Sequence, residues 1–479
     1  MGPPAIQAAR QAATPKAPTG RILLPALQLL HSQARSPRLA SRILSPRSTP
    51  ASLARMVAVA LALRLVVAAF AVSALPDPTR NFEQFGWEMG WVARSVATGH
   101  GFSSPFFPLT GPTALVPPVF PYLLAAIFRL FGLYTLSSGL AILSLNALFS
   151  ALTCIPIYLL ARQAANPRIA SLAAWLWVVY PFSIYFSTQV WEYALTALLF
   201  TTCLFLLGRL PSLHRTSAWI GFGLLYGVTA LCNPAVLTPL PFLFPITLFR
   251  YAQAGFRWKH KAVLTTLTVI AVLLPWSVRT YRTLHLIAPV RDNFWLELWA
   301  GNTGDTFESN PAWTHPASNP VEMSLFQSLG EPAYLASKHR LAVDRIARHP
   351  LAFAATSLRR AVRYWTGFWS FDRRYLKKEC FDIPNLFFCT AITLFMLRGA
   401  RRLWRHNRSL ALPLLALLAI FPVTYYLSHS SMDYRQPIEP VILILATVGI
   451  AGLNPSRPSP TQNSGRRTPP PDASARNLV

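Results

Sequence analysis

The chain has 479 residues, 53% hydrophobic and only 13% charged, with a mean hydropathy of +0.36. A soluble domain carries roughly 25% charged residues, so the composition excludes an ordinary globular protein and points to a membrane one. The net charge of +27 would suit nucleic acid, but it is sorted along the chain in a way nucleic-acid binding does not explain.

Residues 1–55 hold no acid, eight Lys or Arg, and many Pro, Ser and Ala. They read as a basic, disordered N-terminal arm drawn to anionic lipid, as an organellar transit peptide, or as sequence ahead of a start at Met56. From residue 56 to 453 the chain repeats apolar runs long enough for a bilayer, which needs roughly 17–25 helical residues. Spans are expected near 56–75, 136–161, 169–187, 189–208, 217–232, 235–249, 262–281, 383–398, 409–427 and 437–453. The fold class is therefore an all-α polytopic membrane protein, a bundle of about ten transmembrane helices. Residues 454–479 form a low-complexity polar segment, expected to be a disordered C-terminal tail.

With the N-terminus inside, the inner segments hold 25 Lys or Arg and one acid, Asp472. The outer segments hold 18 bases and the other 16 acids, and Arg64 falls within the first span. This is the positive-inside pattern of a multi-pass protein of the plasma (inner) membrane, and it excludes a nucleic-acid partner. Carboxylate chemistry, if there is any, belongs to the outer side. The five cysteines show no metal-ligand spacing and read as small apolar fillers.

Two outer segments, 76–135 and 282–382, are too long to be simple connectors. In the first, Phe85, Met89, Val92 and Val96 form one apolar stripe of a helix over 83–97. At 100° per residue Glu88 lies about 60° from the stripe centre and Glu83 about 160°, so Glu88 tucks into a half-buried site while Glu83 faces away. A Pro/Gly-punctuated loop follows, then a short interfacial helix over 118–132. The second segment is expected to form a loop and two amphipathic helices, 333–348 and 351–369, broken at His349-Pro350.

Four groups at the outer ends of spans can carry chemistry. They are Glu83 with Glu88; Glu192, which is the only acid between residues 89 and 291; Arg279, Arg282 and Arg291 where the seventh span exits; and His429, Asp433, Arg435 and Glu439 before the last span. Each has a plainer role. Carboxylates there are often solvated or salt-bridged, and arginines often anchor a span at the headgroups. An acid placed near lipid is costlier to explain away. Together the groups suit transfer of a sugar away from a phosphate. A carboxylate takes the proton of an attacking hydroxyl, and guanidinium groups hold the departing phosphate.

The order and spacing of "EMGWVARSVATGHGFSSPF", "GPTALVPPVFPYLLAAIFRLFG", "YPFSIYFSTQVWEYALTALL", "LLPWSVRTYRTL" with "VRDNFWLELWAGN", and "HSSMDYRQPIEP" resemble the GT-C superfamily of integral-membrane glycosyltransferases. That superfamily includes the protein O-mannosyltransferases and the lipid A aminoarabinose transferase. The resemblance covers residues 56–453 and is nearest to bacterial lipopolysaccharide-core-type members. It implies an outward-facing active site beneath the first large loop. It also implies a polyprenyl-phosphate sugar donor attacked with inversion, and a lipid, glycan or protein acceptor. The acid of the first outer loop would be Glu88 or Glu83, and the second acid Glu192. Arg279, Arg282, Arg435 and His429 are the candidates for the donor phosphate. Many relatives carry Asp or an Asp-Glu pair in the first loop, where this chain has separated Glu residues. Metal use varies in the superfamily, so a divalent cation is left open as a cofactor. The competing readings are a transporter or flippase of lipid-linked sugars, and a polysaccharide polymerase or ligase.

Overall fold

A computed structural model describes residues 50–73, 85–106, 109–213, 215–252, 258–303, 314–367 and 382–453. The expected arm up to residue 49, the tail after 453, and Glu83 lie outside the described residues. Among the described residues the chain is helical throughout, and its only β pairing is an isolated bridge between Ser103 and Pro112.

Helices stand at all ten expected positions: α1 (Pro50–Ser73), then, after the first outer segment, α4 (Leu136–Leu152) continued by α5 (Cys154–Ala164), and α6 (Pro167–Val179) with its short extension α7 (Pro181–Tyr185). They continue as α8 (Tyr193–Arg209), α9 (Thr216–Cys232), α10 (Leu240–Ala252) and α11 (Lys259–Leu284). After the second outer segment come α16 (Asp382–His406), α17 (Arg408–Ile420) with α18 (Val423–Leu427), and α19 (Glu439–Ala451). Five stretches are long and apolar enough to cross a bilayer by themselves, and the α6–α7 pair, bent by 54°, makes a sixth. The protein is an all-α polytopic membrane protein. Of the remaining expected spans, α16 is 25 residues long but ends in the basic run 398–405, and the other three are shorter for local reasons. Asn233-Pro234 ends α9, Pro245 interrupts α10, and α19 runs only 13 residues.

Burial compensates for that shortness. Every residue of α19 from Glu439 to Gly449 is buried. It packs on α16 through reciprocal glycines: a Cβ on Gly399 would fall 1.8 Å from the Leu445 carbonyl oxygen, and one on Gly449 would fall 1.9 Å from that of Phe395. Only hydrogen in place of a side chain allows the two backbones this close.

Arg64, the one charge expected inside a span, explains the bend in α6–α7. Pro181 has no N–H, so the last carbonyls of α6 lose helical donors. Arg64 replaces them, donating to Trp177 O at 3.0 Å and Val178 O at 3.2 Å, and to Ser150 Oγ and Ser183 Oγ at 2.7 Å each. A broken helix is tolerated at membrane depth only when its freed backbone is satisfied in this way.

The outer segments supply α2 (Trp87–Ala97), α3 (Val119–Phe131), α12 (Phe294–Asn302), α13 (Pro320–Leu329), α14 (Glu331–Arg348) and α15 (Pro350–Thr366). The break at His349-Pro350 is where the sequence puts it. Helix α2 begins four residues later than expected, because Gly86 adopts φ 94° and turns the chain into the helix there. A Cβ on Gly86 would also sit 2.5 Å from the Val190 carbonyl oxygen. The same glycine thus starts α2 and seats it on the α7–α8 turn.

The loop from 102 to 114 is fastened on two sides. Arg279 donates to the carbonyls of Thr113 and Phe102, both at 2.5 Å. The buried Glu331 accepts from Thr113 Oγ1 at 2.5 Å and from the Ala114 N–H at 2.6 Å.

Candidate active site

The close approach at Gly86 carries the first turn of α2, and with it Glu88, toward the turn that holds Glu192. Glu88 is 14% exposed, and its Oε1 lies 3.3 Å from Nε2 of His315. Burial raises its carboxyl above the usual carboxylate range. His315 pulls it back, Glu297 adds to the rise and Arg291 opposes it. A carboxyl tuned upward in this way is better matched to taking a proton near neutral pH.

Glu192 is buried at the residue preceding α8. Asn233 uses its Oδ1 to cap the turn at Ala235, which leaves its Nδ2 to donate to Glu192 Oε1 at 3.3 Å. Glu192 Oε2 has no hydrogen-bond partner among the described residues. Burial pushes this carboxyl up to about 8, against the pull of its own backbone N–H and of Arg291. Asp433 adds to the rise. At neutral pH Glu192 therefore holds a proton, and its free side is a hydrogen-bond donor rather than a base.

Arg291 is half-buried, and its positive charge acts on Glu88, Glu192, Tyr425 and Tyr434. Among the described residues no carboxylate lies within ion-pair distance of it. A guanidinium shared electrically by several acids and paired with none is suited to an anion from outside. Facing it from the loop between α18 and α19, Asp433 Oδ2 accepts from Tyr193 Oη at 2.8 Å, while its Oδ1 has no partner. His429 sits in the same loop with Nδ1 3.3 Å from Glu297 Oε2, and its Nε2 shares a 2.5 Å hydrogen bond with Tyr434 Oη. Glu297 Oε1 accepts from Asn293 Nδ2 at 3.0 Å.

The expected site residues divide accordingly. Glu88 and Glu192 both feel the charge of Arg291, and His429 joins them through its contacts with Tyr434 and Glu297. The other three arginines do not join them. Arg279 is spent on the carbonyls of the 102–114 loop, and Arg282 is exposed on the last turn of α11. Arg435, expected at the donor phosphate, is fully buried instead. Its Nε lies 3.0 Å from Glu439 Oε2 and its Nη2 3.1 Å from Glu439 Oε1, and Tyr180 Oη donates to that carboxylate at 2.5 Å. A guanidinium fully buried and paired through two nitrogens with its own carboxylate has the geometry of a structural ion pair.

Sequence reasoning gave no role to Glu297, His315 or Tyr434, and noted Arg291 and Asp433 without assigning them. Glu297 is the single acid in the aromatic run "NFWLELW", which was a usable signal. His315 has none, because only the fold brings it to Glu88. Among the described residues no three His, Cys, Asp or Glu side chains converge as a metal ion requires. The two carboxylates nearest the histidines are each met by one imidazole instead. No step is assigned to a metal here.

Residues 115–278, about a third of the chain, match the model of the family described as dolichyl-phosphate-mannose-protein mannosyltransferase. The sequence has no match among curated proteins. Among solved structures, the oligosaccharyltransferase AglB from Archaeoglobus fulgidus, in complex with an inhibitory peptide and a dolichol-phosphate, aligns with a TM-score of 0.47 at 14% identity. The alignment covers 81% of this chain and 50% of that one, so this chain spans about half the length of the oligosaccharyltransferase. ArnT from Cupriavidus metallidurans, bound to undecaprenyl phosphate, aligns with a TM-score of 0.39 at 13% identity, over 82% of this chain and 78% of that one. The matched stretch runs from the first outer segment through most of α11, and its match to the mannosyltransferase model bears out the resemblance of this chain to the GT-C superfamily of integral-membrane glycosyltransferases.

Proposed function

We propose that the protein is a glycosyltransferase that moves a sugar from a polyprenyl-phosphate-linked donor to an acceptor hydroxyl, on the extracytoplasmic face of the plasma (inner) membrane. The observation that supports this best is the gathering of Glu88, Glu192 and the unpaired Arg291 from three distant parts of the chain. Glu88, with His315 behind it, takes the acceptor's proton as the acceptor oxygen attacks the anomeric carbon. The bond to the phosphate breaks on the opposite face, which inverts the configuration, and Arg291 meets the charge that builds on the departing phosphate. Glu192, still protonated, donates a hydrogen bond to the sugar or the phosphate. The family model supports a lipid-phosphate sugar as the donor class, since that is the donor its description names. The acceptor is a lipid, a glycan or a protein.

The test is direct. Purified protein in nanodiscs, given a polyprenyl-phosphate sugar and envelope acceptors, should release polyprenyl phosphate in step with acceptor glycosylation. Movement of intact donor across liposomes without release would replace the enzyme with a flippase.

A further inference from the structure

The carboxylates of Glu88, Glu297 and Asp433, together with the protonated Glu192, share their surroundings with the guanidinium of Arg291, which among the described residues has no carboxylate of its own. A phosphate arriving there adds negative charge to a site already crowded with it. The neighbouring cations cannot answer. Arg279 and Arg360 are spent on backbone carbonyls, Arg360 on those of Gly301 and Leu427, and Arg435 is locked to Glu439. Bringing in a phosphate therefore calls for a positive charge the resting site lacks.

The run Glu297–His429–Tyr434, a contact on one side of the imidazole and a hydrogen bond on the other, can supply it. His429 Nε2 is joined to Tyr434 Oη at 2.5 Å, while Nδ1 is at contact distance from Glu297 Oε2 but off the line of a hydrogen bond. Charged and titratable groups surround this imidazole. Glu297 from α12 and Tyr434 from its own loop touch it; Asp433, Tyr425 from α18 and Arg291 from the segment after α11 act on Tyr434, and Arg360 from α15 donates to the Leu427 carbonyl two residues before it. Tyr434 is fixed by stacking on Tyr425, with ring centroids 4.4 Å apart and planes 8° from parallel, and its carbonyl accepts from Tyr364 Oη at 3.2 Å. The tyrosine is thus rigid, and the freedom lies in which way the protons of the run point.

We propose that phosphate binding at this site is coupled to uptake of one proton from solvent by His429, with Tyr434 as the link between imidazole and phosphate. This rests on the transferase reading and deepens it. In the resting form the Tyr434 hydroxyl donates to the neutral Nε2. Once His429 is protonated, Nε2–H donates to Tyr434 Oη, and the hydroxyl proton is released to point at the phosphate. Nδ1–H meanwhile turns to Glu297, whose carboxylate stabilises the imidazolium. His429 and Glu297 are positioning residues, and Tyr434 is the group that touches the ligand.

Calorimetric titration of the full-length protein in nanodiscs with farnesyl phosphate, in buffers of differing ionisation enthalpy at pH 7.5, counts the protons taken up. Comparison with His429→Gln cancels the phosphate's own titration. Wild type should take up close to one proton more than His429→Gln, and its affinity should fall toward tenfold per pH unit more steeply above neutral. Tyr434→Phe keeps the imidazole but cuts the link, so it should lose most of the same difference, and it carries the test if His429→Gln does not fold. Equal proton uptake by wild type and both variants overturns the coupling while leaving the transferase reading intact. So does proton uptake that is lost in His315→Gln but kept at the wild-type value in His429→Gln. If farnesyl phosphate does not bind wild type at all, the donor reading falls, and the coupling falls with it.

Discussion

Two clusters of acid and guanidinium lie in this protein, and they are built in opposite ways. At the start of α19, Arg435, Glu439 and Tyr180 are fully buried or nearly so, and each side chain answers another. Around Arg291, by contrast, Glu192 and Asp433 each keep an oxygen without a partner among the described residues, where the guanidinium has no carboxylate of its own either. The same residue types do different work because one set is complete and the other is not. A buried pair that lacks nothing holds helices together; a half-satisfied set is poised for a ligand. Arg435, expected from sequence at the donor phosphate, lies in the first of these clusters, paired with Glu439.

The sharpest way to break this comparison is to remove one carboxylate from each cluster. Glu88→Gln should slow transfer by roughly 10²–10⁴-fold and leave the unfolding midpoint of the protein in nanodiscs unchanged. Glu439→Ala should do the reverse in kind, lowering stability by about 3–5 kcal/mol because Arg435 is left buried without its anion. The double replacement Arg435→Met, Glu439→Leu should recover most of that loss, and a failure to recover would mean that the pair does more than join helices. Next in size, Arg291→Ala should weaken binding of a lipid phosphate by about 1.5–3 kcal/mol, whereas Arg282→Ala at the exposed end of α11 should leave it unchanged. Titration calorimetry of the two variants separates them. The smallest effect is on the pH profile. A base must be ionised, so transfer should rise with pH as Glu88 loses its proton. Glu192 acts while protonated, so transfer should fall as pH passes about 8. Glu192→Gln should abolish the falling limb and keep the rising one.

Much of the fold was legible because it follows from periodicity and length. The apolar runs marked the helices, the single break at His349-Pro350 marked the join of α14 and α15, and Glu88 was placed half-buried by its angle to a four-residue stripe. What was not legible depends on contacts between distant segments. His315 meets Glu88 only through the fold, and no spacing between residues 88 and 315 announces it. Arg279 and Arg435 look alike at span ends, and only the structure shows that one holds a loop while the other is paired inside the bundle. The span count suffered for a similar reason. Hydropathy read α9, α10 and α19 as full crossings, but proline placement and burial let them be shorter.

The burial of α19 bears on how the protein is made. A ribosome delivers this segment after every other described helix, yet it occupies the interior and carries the Arg435–Glu439 pair into it. The earlier helices must therefore wait, loosely gathered in the lipid, with a slot held open until Arg435 and Glu439 arrive as neighbours and neutralise one another. Among the described helices, α19 then closes onto α16 where Gly399 and Gly449 meet. Any stalled or shortened nascent chain would leave the membrane-inserted remainder as a substrate for quality-control proteases rather than a weaker enzyme.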